Sequence, residues 1–143
     1  MAPVVAAPTE PSLYAFSYTI PGTTPTPTFV VAGAGEMRDR AQGNAGIVRF
    51  GDTSADGMRE KARFVMDVMQ ERLRALGADF RGVSAIDVYL APPFHESVVE
   101  EVLRPAGAAA IHGVRWFPSR PPIQGLEFEV DLRGVGREVV LRG

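Results

Sequence analysis

One long amphipathic segment constrains the fold of this 143-residue chain more than any other feature. Between Ser54 and Leu76, apolar side chains recur at steps of three and four residues, so they share one face of a helix. They are Met58, Ala62, Val65, Met66, Met69, Leu73 and Leu76. Thr53 and Asp56 have the spacing of a capping box, and Gly77 supplies a C-terminal stop. The segment predicts a helix whose apolar side is buried against a second layer.

The segments around this helix are rich in β-branched residues or alternate between apolar and polar side chains, as strands do. Strands are predicted at 12–20, 28–33, 84–90, 109–117 and 126–132, with short ones at 45–50 and 137–141. A short second helix is predicted at 95–104, closed by Pro105, and a long glycine-rich loop at 33–46. This order predicts an α+β sandwich with both helices on one face of a single sheet.

Length and composition restrict the class of protein further. Six of the 12 prolines lie in the first 28 residues, so residues 1–11 are predicted to be a flexible arm and 12–143 a single domain. The absence of cysteine excludes disulfides and thiolate chemistry and favours a reducing, cytoplasmic setting. A net charge of −2 without a basic stretch argues against nucleic-acid binding. The chain has no apolar run that spans a membrane, and its first residues do not form a signal peptide.

Motifs for cofactors and metals are missing. Gly33-Ala34-Gly35 lacks the third glycine of a dinucleotide-binding loop, so these glycines are interpreted as turn residues. The two histidines, His95 and His112, are too few for a His-rich metal site, and His95 is interpreted as a surface residue at a helix start. No cofactor and no metal are therefore predicted.

The candidate functional residues lie in the last two long strands. Glu127, Glu129 and Asp131 share one face of a strand, which is either a hydrated acidic face or the wall of a pocket that holds a general base. His112 lies among apolar neighbours in the strand predicted at 109–117, which suits a core or interface histidine as well as a functional one. Arg115 falls on the opposite face of that strand unless a bulge changes its parity.

Several segments together resemble the Rid family, also called the YjgF or L-PSP family. They are the helix at 58–73, the turn Leu76-Gly77-Ala78-Asp79-Phe80 and the strand Ile86-Asp87-Val88-Tyr89-Leu90. Phe29-Val30-Val31-Ala32-Gly33 resembles the family's apolar strand that ends in Ser-Gly, and Leu126-Glu127-Phe128 resembles its near-C-terminal strand.

The resemblance implies a chorismate-mutase-like α+β fold, with one mixed sheet and two helices packed on one face. It also implies a homotrimer with a small-molecule pocket at each subunit interface. Active family members hydrolyse enamine and imine acids, such as 2-aminoacrylate, to keto acids and ammonia. In them, an arginine holds the substrate carboxylate and a glutamate on the last core strand orients the attacking water.

Two family residues find counterparts here, and one does not. Glu127 matches the glutamate by motif, and Tyr14 matches a tyrosine of the first strand. His112 occupies the place of the arginine, and an imidazole does not reproduce a bidentate guanidinium. The sequence therefore predicts a divergent hydrolase or deaminase in which Glu127 holds water and His112 polarises or protonates the substrate.

Other predicted substrate-binding groups are the backbone near Gly33, which would stabilise developing negative charge, and Arg115. Trp116 suggests an apolar wall suited to a larger, aminomuconate-like ligand. Two alternatives remain open. One is a non-catalytic trimer that binds a small metabolite in the same cleft, and the other is a nuclease, against which the acidic balance argues.

Overall fold

The computed structural model describes residues 2–5, 7–10, 16, 18, 20–23, 26 and 28–139. The strands are β1 (Ala2–Pro3), β2 (Phe29–Gly35), β3 (Ala85–Leu90), β4 (Arg115–Phe117), β5 (Ser119–Arg120) and β6 (Phe128–Gly134). The long helix is α1 (Ala55–Ala75). Short helical turns are 3-10 at Arg40–Gly46, Phe80–Gly82 and Gly107–His112, π at Val99–Leu103 and α at Arg104–Ala106.

Four strands form one mixed sheet in the order β2-β6-β3-β4. β6 runs antiparallel to both of its neighbours, and β4 runs parallel to β3. β1 and β5 form a separate antiparallel pair, extended by a bond from the Val4 N–H to the Pro118 carbonyl. This topology confirms the predicted α+β class and its mixed sheet. Residues 2–4 of the arm predicted at 1–11 lie along the segment 118–120. The flexibility of this arm stays a prediction.

The hydrophobic core lies between α1 and one face of the sheet. Phe128, Val130 and Leu132 of β6 are buried and alternate with partly exposed acidic and basic residues, which is the pattern of a strand with one buried face. α1 packs on β6 and β2, and the π-helical turn packs beside it. The predicted apolar stripe of α1 is confirmed from Met58 to Leu73, but Leu76 lies beyond the helix and is 55% exposed.

The start of α1 is one residue later than predicted. Ser54, not Thr53, is the N-cap, and its hydroxyl accepts a hydrogen bond from the Gly57 N–H at 3.2 Å. The Asp52 carboxylate in turn accepts from the Ser54 N–H at 2.9 Å and so orders the turn before the helix.

Two predicted strands are wrong in part or whole. Residues 45–50 contribute only a bridge between Ile47 and Met37, because the chain turns at Arg49, whose φ is 50°. In the segment 109–117, only Arg115–Phe117 is a strand. Gly107 and Gly113 take positive φ values of 56° and 66° and enclose a 3-10 helix between them.

The other predicted elements agree with the structure only in part. The second helix begins later than residue 95, as the π turn Val99–Leu103, and it does not close before Pro105 but continues through it to Ala106. The long loop 33–46 is interrupted by the 3-10 turn, and β2 continues into it as far as Gly35. Residues 137–139 are not a strand, and most of the strand predicted at 12–20 lies outside the described residues. In the described part of the chain, no helix is long and apolar enough to cross a membrane.

Candidate active site

The acidic residues of β6, Glu129 and Asp131, lie on the sheet face turned away from α1, and Glu127 comes directly before this strand. Glu127 and Glu129 are two residues apart in extended chain, which spaces their Cα atoms by about 7 Å. The Glu127 carboxylate forms an ion pair with Arg120, and its side chain is 13% exposed. The two carboxyl groups therefore have different surroundings, since Glu129 lies within the sheet and Glu127 is held by Arg120.

A bulge in β2 brings backbone against Glu129. The register of β2 on β6 shifts between Val31 and Ala34, which places Gly33 beside the Glu129 carboxyl group. A Cβ atom at Gly33 would lie 2.0 Å from Glu129 Oε1, so a side chain at this position would displace the carboxyl group. Burial raises the pKa of Glu129, and the neighbouring charge of Asp131 raises it further.

A cleft of about 420 Å³ opens beside this carboxyl group, between β2, α1 and the segment before β6. It is lined by Gly33, Ala34, Gly35, Met37, Arg38, Arg40, Val68, Arg72, Pro122, Ile123, Leu126 and Glu129. Its volume falls in the range of small-molecule sites. Three guanidinium groups and one carboxyl group give the cleft an excess of positive charge, which suits an anionic ligand.

The three arginines of the cleft differ in how they are held. Arg72 Nη1 donates to the carbonyls of Ala32 at 2.7 Å and Gly33 at 3.2 Å. Arg38 lies over the Phe64 ring, 5.7 Å from its centroid, and is 3.8 Å from Glu60. Arg40 is exposed, and its side chain makes no hydrogen bond or ion pair with any described residue. Arg40 is therefore the cation most available to a ligand.

Behind the acidic face lies a buried ion pair. Lys61 Nζ is 3.0 Å from Glu36 Oε1, and both side chains are 0% exposed. The Glu36 carboxylate also accepts hydrogen bonds from the N–H groups of Glu127 at 2.7 Å and Phe128 at 3.1 Å. The pair thereby connects α1 to the start of β6.

A separate charged network occupies the same sheet face over β3 and β4. Asp87 accepts from Arg115 Nε at 2.6 Å and from Arg133 Nη1 at 3.0 Å, and burial still raises the pKa of Asp87. The Tyr89 hydroxyl donates to Asp131 at 2.8 Å, and burial raises the pKa of Asp131 as well. These groups satisfy one another within the chain.

The structure brings only some of the predicted site residues together. Gly33 lines the cleft, whereas Glu127 is not among the lining residues and follows Leu126, which is. Arg115 is committed to Asp87, and Trp116 points to the other side of β4, where it stacks on His95 with ring centroids 4.5 Å apart.

Tyr14 lies outside the described residues. His112 is not in a strand as predicted: it is exposed at the end of the 3-10 helix before β4. Because β4 starts beside Asp87 and β6 starts beside Leu90, His112 and Glu127 lie toward opposite ends of β3, on the order of 20 Å apart. One chain alone does not bring them into a common site.

None of the three arginines that line the cleft is predicted from the sequence as a site residue. Arg38, Arg40 and Arg72 belong to a turn and to the polar face of a helix, where arginines are ordinary surface residues. Lys61 did carry a signal, since it lies three residues after Met58 and four before Val65, within the apolar stripe of α1. A lysine in that position requires a buried partner.

Comparisons with known proteins agree with this architecture. The model of the family described as 2-aminomuconate deaminase CnbZ matches residues 1–139. The 2-amino-5-chloromuconate deaminase of Comamonas testosteroni is 41% identical over 142 residues, 97% of this chain and 56% of that protein. The chain thus spans about half the length of this curated relative.

Solved structures share the fold at low identity. The Rid-family protein YyfB of Yersinia pestis aligns with a TM-score of 0.52 at 16% identity, over 75% of this chain and 77% of its own. A protein of Entamoeba histolytica named as an L-PSP endoribonuclease aligns with a TM-score of 0.55 at 17% identity, over 75% and 78%. These likenesses confirm the Rid-type fold predicted from the sequence.

Proposed function

The chain belongs to the 2-aminomuconate deaminase CnbZ family, and we propose that it hydrolyses 2-aminomuconate or a close enamine dicarboxylate to a keto acid and ammonia. The observation that carries this proposal is the cleft beside β2, which is lined by three guanidinium groups and by the partly buried Glu129 carboxyl group. The name of the Comamonas relative, which specifies a chlorinated aminomuconate, supports the same substrate class.

Substrate recognition follows from charge. An aminomuconate carries a carboxylate at each end of a conjugated six-carbon chain, with the amino group beside one of them. Arg72 and Arg38 would bind one carboxylate, and Arg40, at the rim, would bind the distal one. The apolar side chains of Val68, Ile123 and Leu126 line the same cleft and suit the conjugated carbon chain.

Two carboxyl groups, Glu129 of β6 and Glu127 directly before it, suit the proton transfers of the reaction. Glu129, whose pKa is raised by burial, donates its proton to the enamine carbon, so the carbon–nitrogen bond becomes an iminium. Water then attacks the iminium carbon, and the Glu127 carboxylate accepts the proton that the water releases.

The same two groups complete the turnover. Glu127 returns its proton to the nitrogen, the carbon–nitrogen bond breaks and ammonia leaves. The hydroxyl proton passes to Glu129 as the carbonyl forms, which restores both groups to their starting states. The N–H groups of the bulge at Gly33 would stabilise the substrate carboxylate beside the reacting carbon. His112 is not needed for these steps.

We also propose that the chain acts as a homotrimer with this cleft near each subunit interface, and that it is cytoplasmic. α1 packs on one face of the sheet, and the partly exposed Arg115 and Arg133 lie on the opposite face. The absence of cysteine supports a reducing compartment. A light-scattering mass of about three times the 15.4 kDa chain mass is expected, and the mass of a monomer would contradict the trimer.

Substitution of Arg40 tests the proposed substrate class. Arg40→Gln is expected to raise KM for freshly generated 2-aminomuconate about tenfold, the loss of one charge-assisted hydrogen bond. KM for 2-aminoacrylate, which lacks the distal carboxylate, should not change. Ammonia release measures both.

Arg74→Gln is the matched control, since Arg74 is an exposed arginine of α1 that does not line the cleft. It removes the same charge and should leave both KM values unchanged. An equal rise for the two substrates in Arg40→Gln would contradict the role of Arg40. A wild-type chain that binds 2-aminomuconate without releasing ammonia would contradict the proposed activity.

A further inference from the structure

We propose that Glu36 is a positioning residue that fixes the backbone of Glu127, and that the buried Lys61 ammonium holds its carboxylate in place. The inference rests on the proposed function for its catalytic consequence. Its structural part stands on the hydrogen bonds that converge on Glu36.

Glu36 replaces a missing strand partner. β2 ends at Gly35, which is opposite Glu129, so no β2 residue lies opposite Glu127. The Glu36 carboxylate follows β2 directly and accepts from two consecutive N–H groups, those of Glu127 and Phe128. A side chain thereby continues the hydrogen-bonding ladder beyond the end of the strand. One of the two anchored residues is Glu127, the proposed acceptor of the water proton.

Only an ionised carboxylate fits this position. Each of its two oxygens accepts from one backbone N–H, whereas a glutamine has one acceptor oxygen and would turn an NH₂ group toward the other donor. An ionised carboxylate with 0% exposure needs a counter-charge, and Lys61 supplies it at 3.0 Å. A pair of apolar side chains would fill the same volume but leave both N–H groups without an acceptor.

The arrangement ties Glu127 to the most buried part of the domain. Lys61 belongs to the second turn of α1, between the buried residues Met58 and Val65. The position of the Glu127 backbone is therefore set by the helix rather than by the segment 118–126 that precedes it. Misplacement of a catalytic group by about 1 Å lowers the rate about 100-fold.

The experiment compares Glu36→Gln/Lys61→Met with the wild-type chain. The double variant removes both buried charges together and leaves one acceptor for two N–H groups. We expect kcat for 2-aminomuconate to fall about 30- to 100-fold, with KM unchanged because the arginines of the cleft are not altered. Hydrogen exchange at the Glu127 and Phe128 amides should become faster, while exchange at Val130 and Leu132 stays slow.

Glu36→Asp is the second, milder variant. It keeps the charge but shortens the side chain, so its carboxylate does not span both N–H groups, and a smaller fall in kcat is expected. Glu101→Gln is the control, because Glu101 is a buried carboxylate that binds Arg63 away from β6. It should leave kcat and both amides unchanged.

Two results would overturn the inference: unchanged exchange at Glu127 and Phe128 in the Glu36 variants, or an equal fall of kcat in Glu101→Gln. If the wild-type chain releases no ammonia, the proposed function fails. The exchange rates then still decide whether Glu36 holds the Glu127 backbone.

Discussion

Replacement of Glu129 by glutamine is expected to lower kcat for 2-aminomuconate by about 10²- to 10⁴-fold, the usual contribution of a general acid. The substitution keeps the shape of the side chain beside Gly33 but removes the proton that is transferred to the enamine carbon. Ammonia release at saturating substrate measures the loss. Glu127→Gln should lower kcat within the same range, because water then has no carboxylate to accept its proton.

The pH dependence of kcat distinguishes the acid from a merely structural carboxyl group. Burial raises the pKa of Glu129 above its ordinary value, so the protonated form persists to higher pH than in an exposed glutamate. As pH rises through that raised pKa, the acid form is lost and kcat should fall. This alkaline decrease should be absent from the residual activity of Glu129→Gln.

Asp131→Asn is the control for both measurements. Asp131 lies two residues further along the same face of β6, and burial raises its pKa too, but it accepts from Tyr89 and does not line the cleft. Its replacement should leave kcat at low pH unchanged and keep the alkaline decrease, which moves to lower pH because the Asp131 charge no longer raises the pKa of Glu129. If Asp131→Asn lowered kcat as much as Glu129→Gln, the acid would be wrongly identified.

Replacement of Lys61 by methionine is expected to lower the free energy of unfolding by about 3–5 kcal/mol. Methionine fills a similar volume, but the Glu36 carboxylate then remains buried without its counter-charge. The midpoint of thermal unfolding should fall on the order of 10 °C. Urea unfolding at neutral pH measures the free energy directly.

The double variant Glu36→Gln/Lys61→Met should be more stable than Lys61→Met alone, because it removes the uncompensated charge. Exposed ion pairs typically contribute less than about 1 kcal/mol to the free energy of unfolding. A loss of only this size in Lys61→Met would show that the Glu36 carboxylate is not desolvated.

The periodic spacing of apolar residues predicts the helix and the strand that bury one face and expose the other. The three- and four-residue spacing from Met58 to Leu73 matches the buried face of α1, and the alternation of Phe128, Val130 and Leu132 matches the buried face of β6. Parity also predicts Glu127 and Glu129 on one face, but β6 begins only at Phe128, so the strand pattern fixes the face of Glu129 and not that of Glu127. It did not show which of them lies in the cleft, because that depends on the bulge that brings Gly33 against Glu129.

Residues whose position depends on partners distant in sequence were not predicted. The mostly apolar segment 109–117 predicts a strand that contains His112. The positive φ values of Gly107 and Gly113 instead allow turns on both sides of a 3-10 helix, and the apolar pattern does not indicate these turns. Glu36 is an ordinary loop acid in the sequence. Its burial follows from a contact with Lys61, 25 residues later, and with the start of β6, more than 90 residues later.

A crystal structure with cis,cis-muconate bound tests the central claim most directly, since this dicarboxylate has the carbon chain of the proposed substrate but no amino group to lose. We predict one carboxylate beside Arg72 and Gly33, the other at Arg40, and the carbon next to the first carboxylate facing Glu129. Muconate bound instead at Arg115 and Arg133 on the far strands, or absent from the cleft at saturating concentration, would contradict the account.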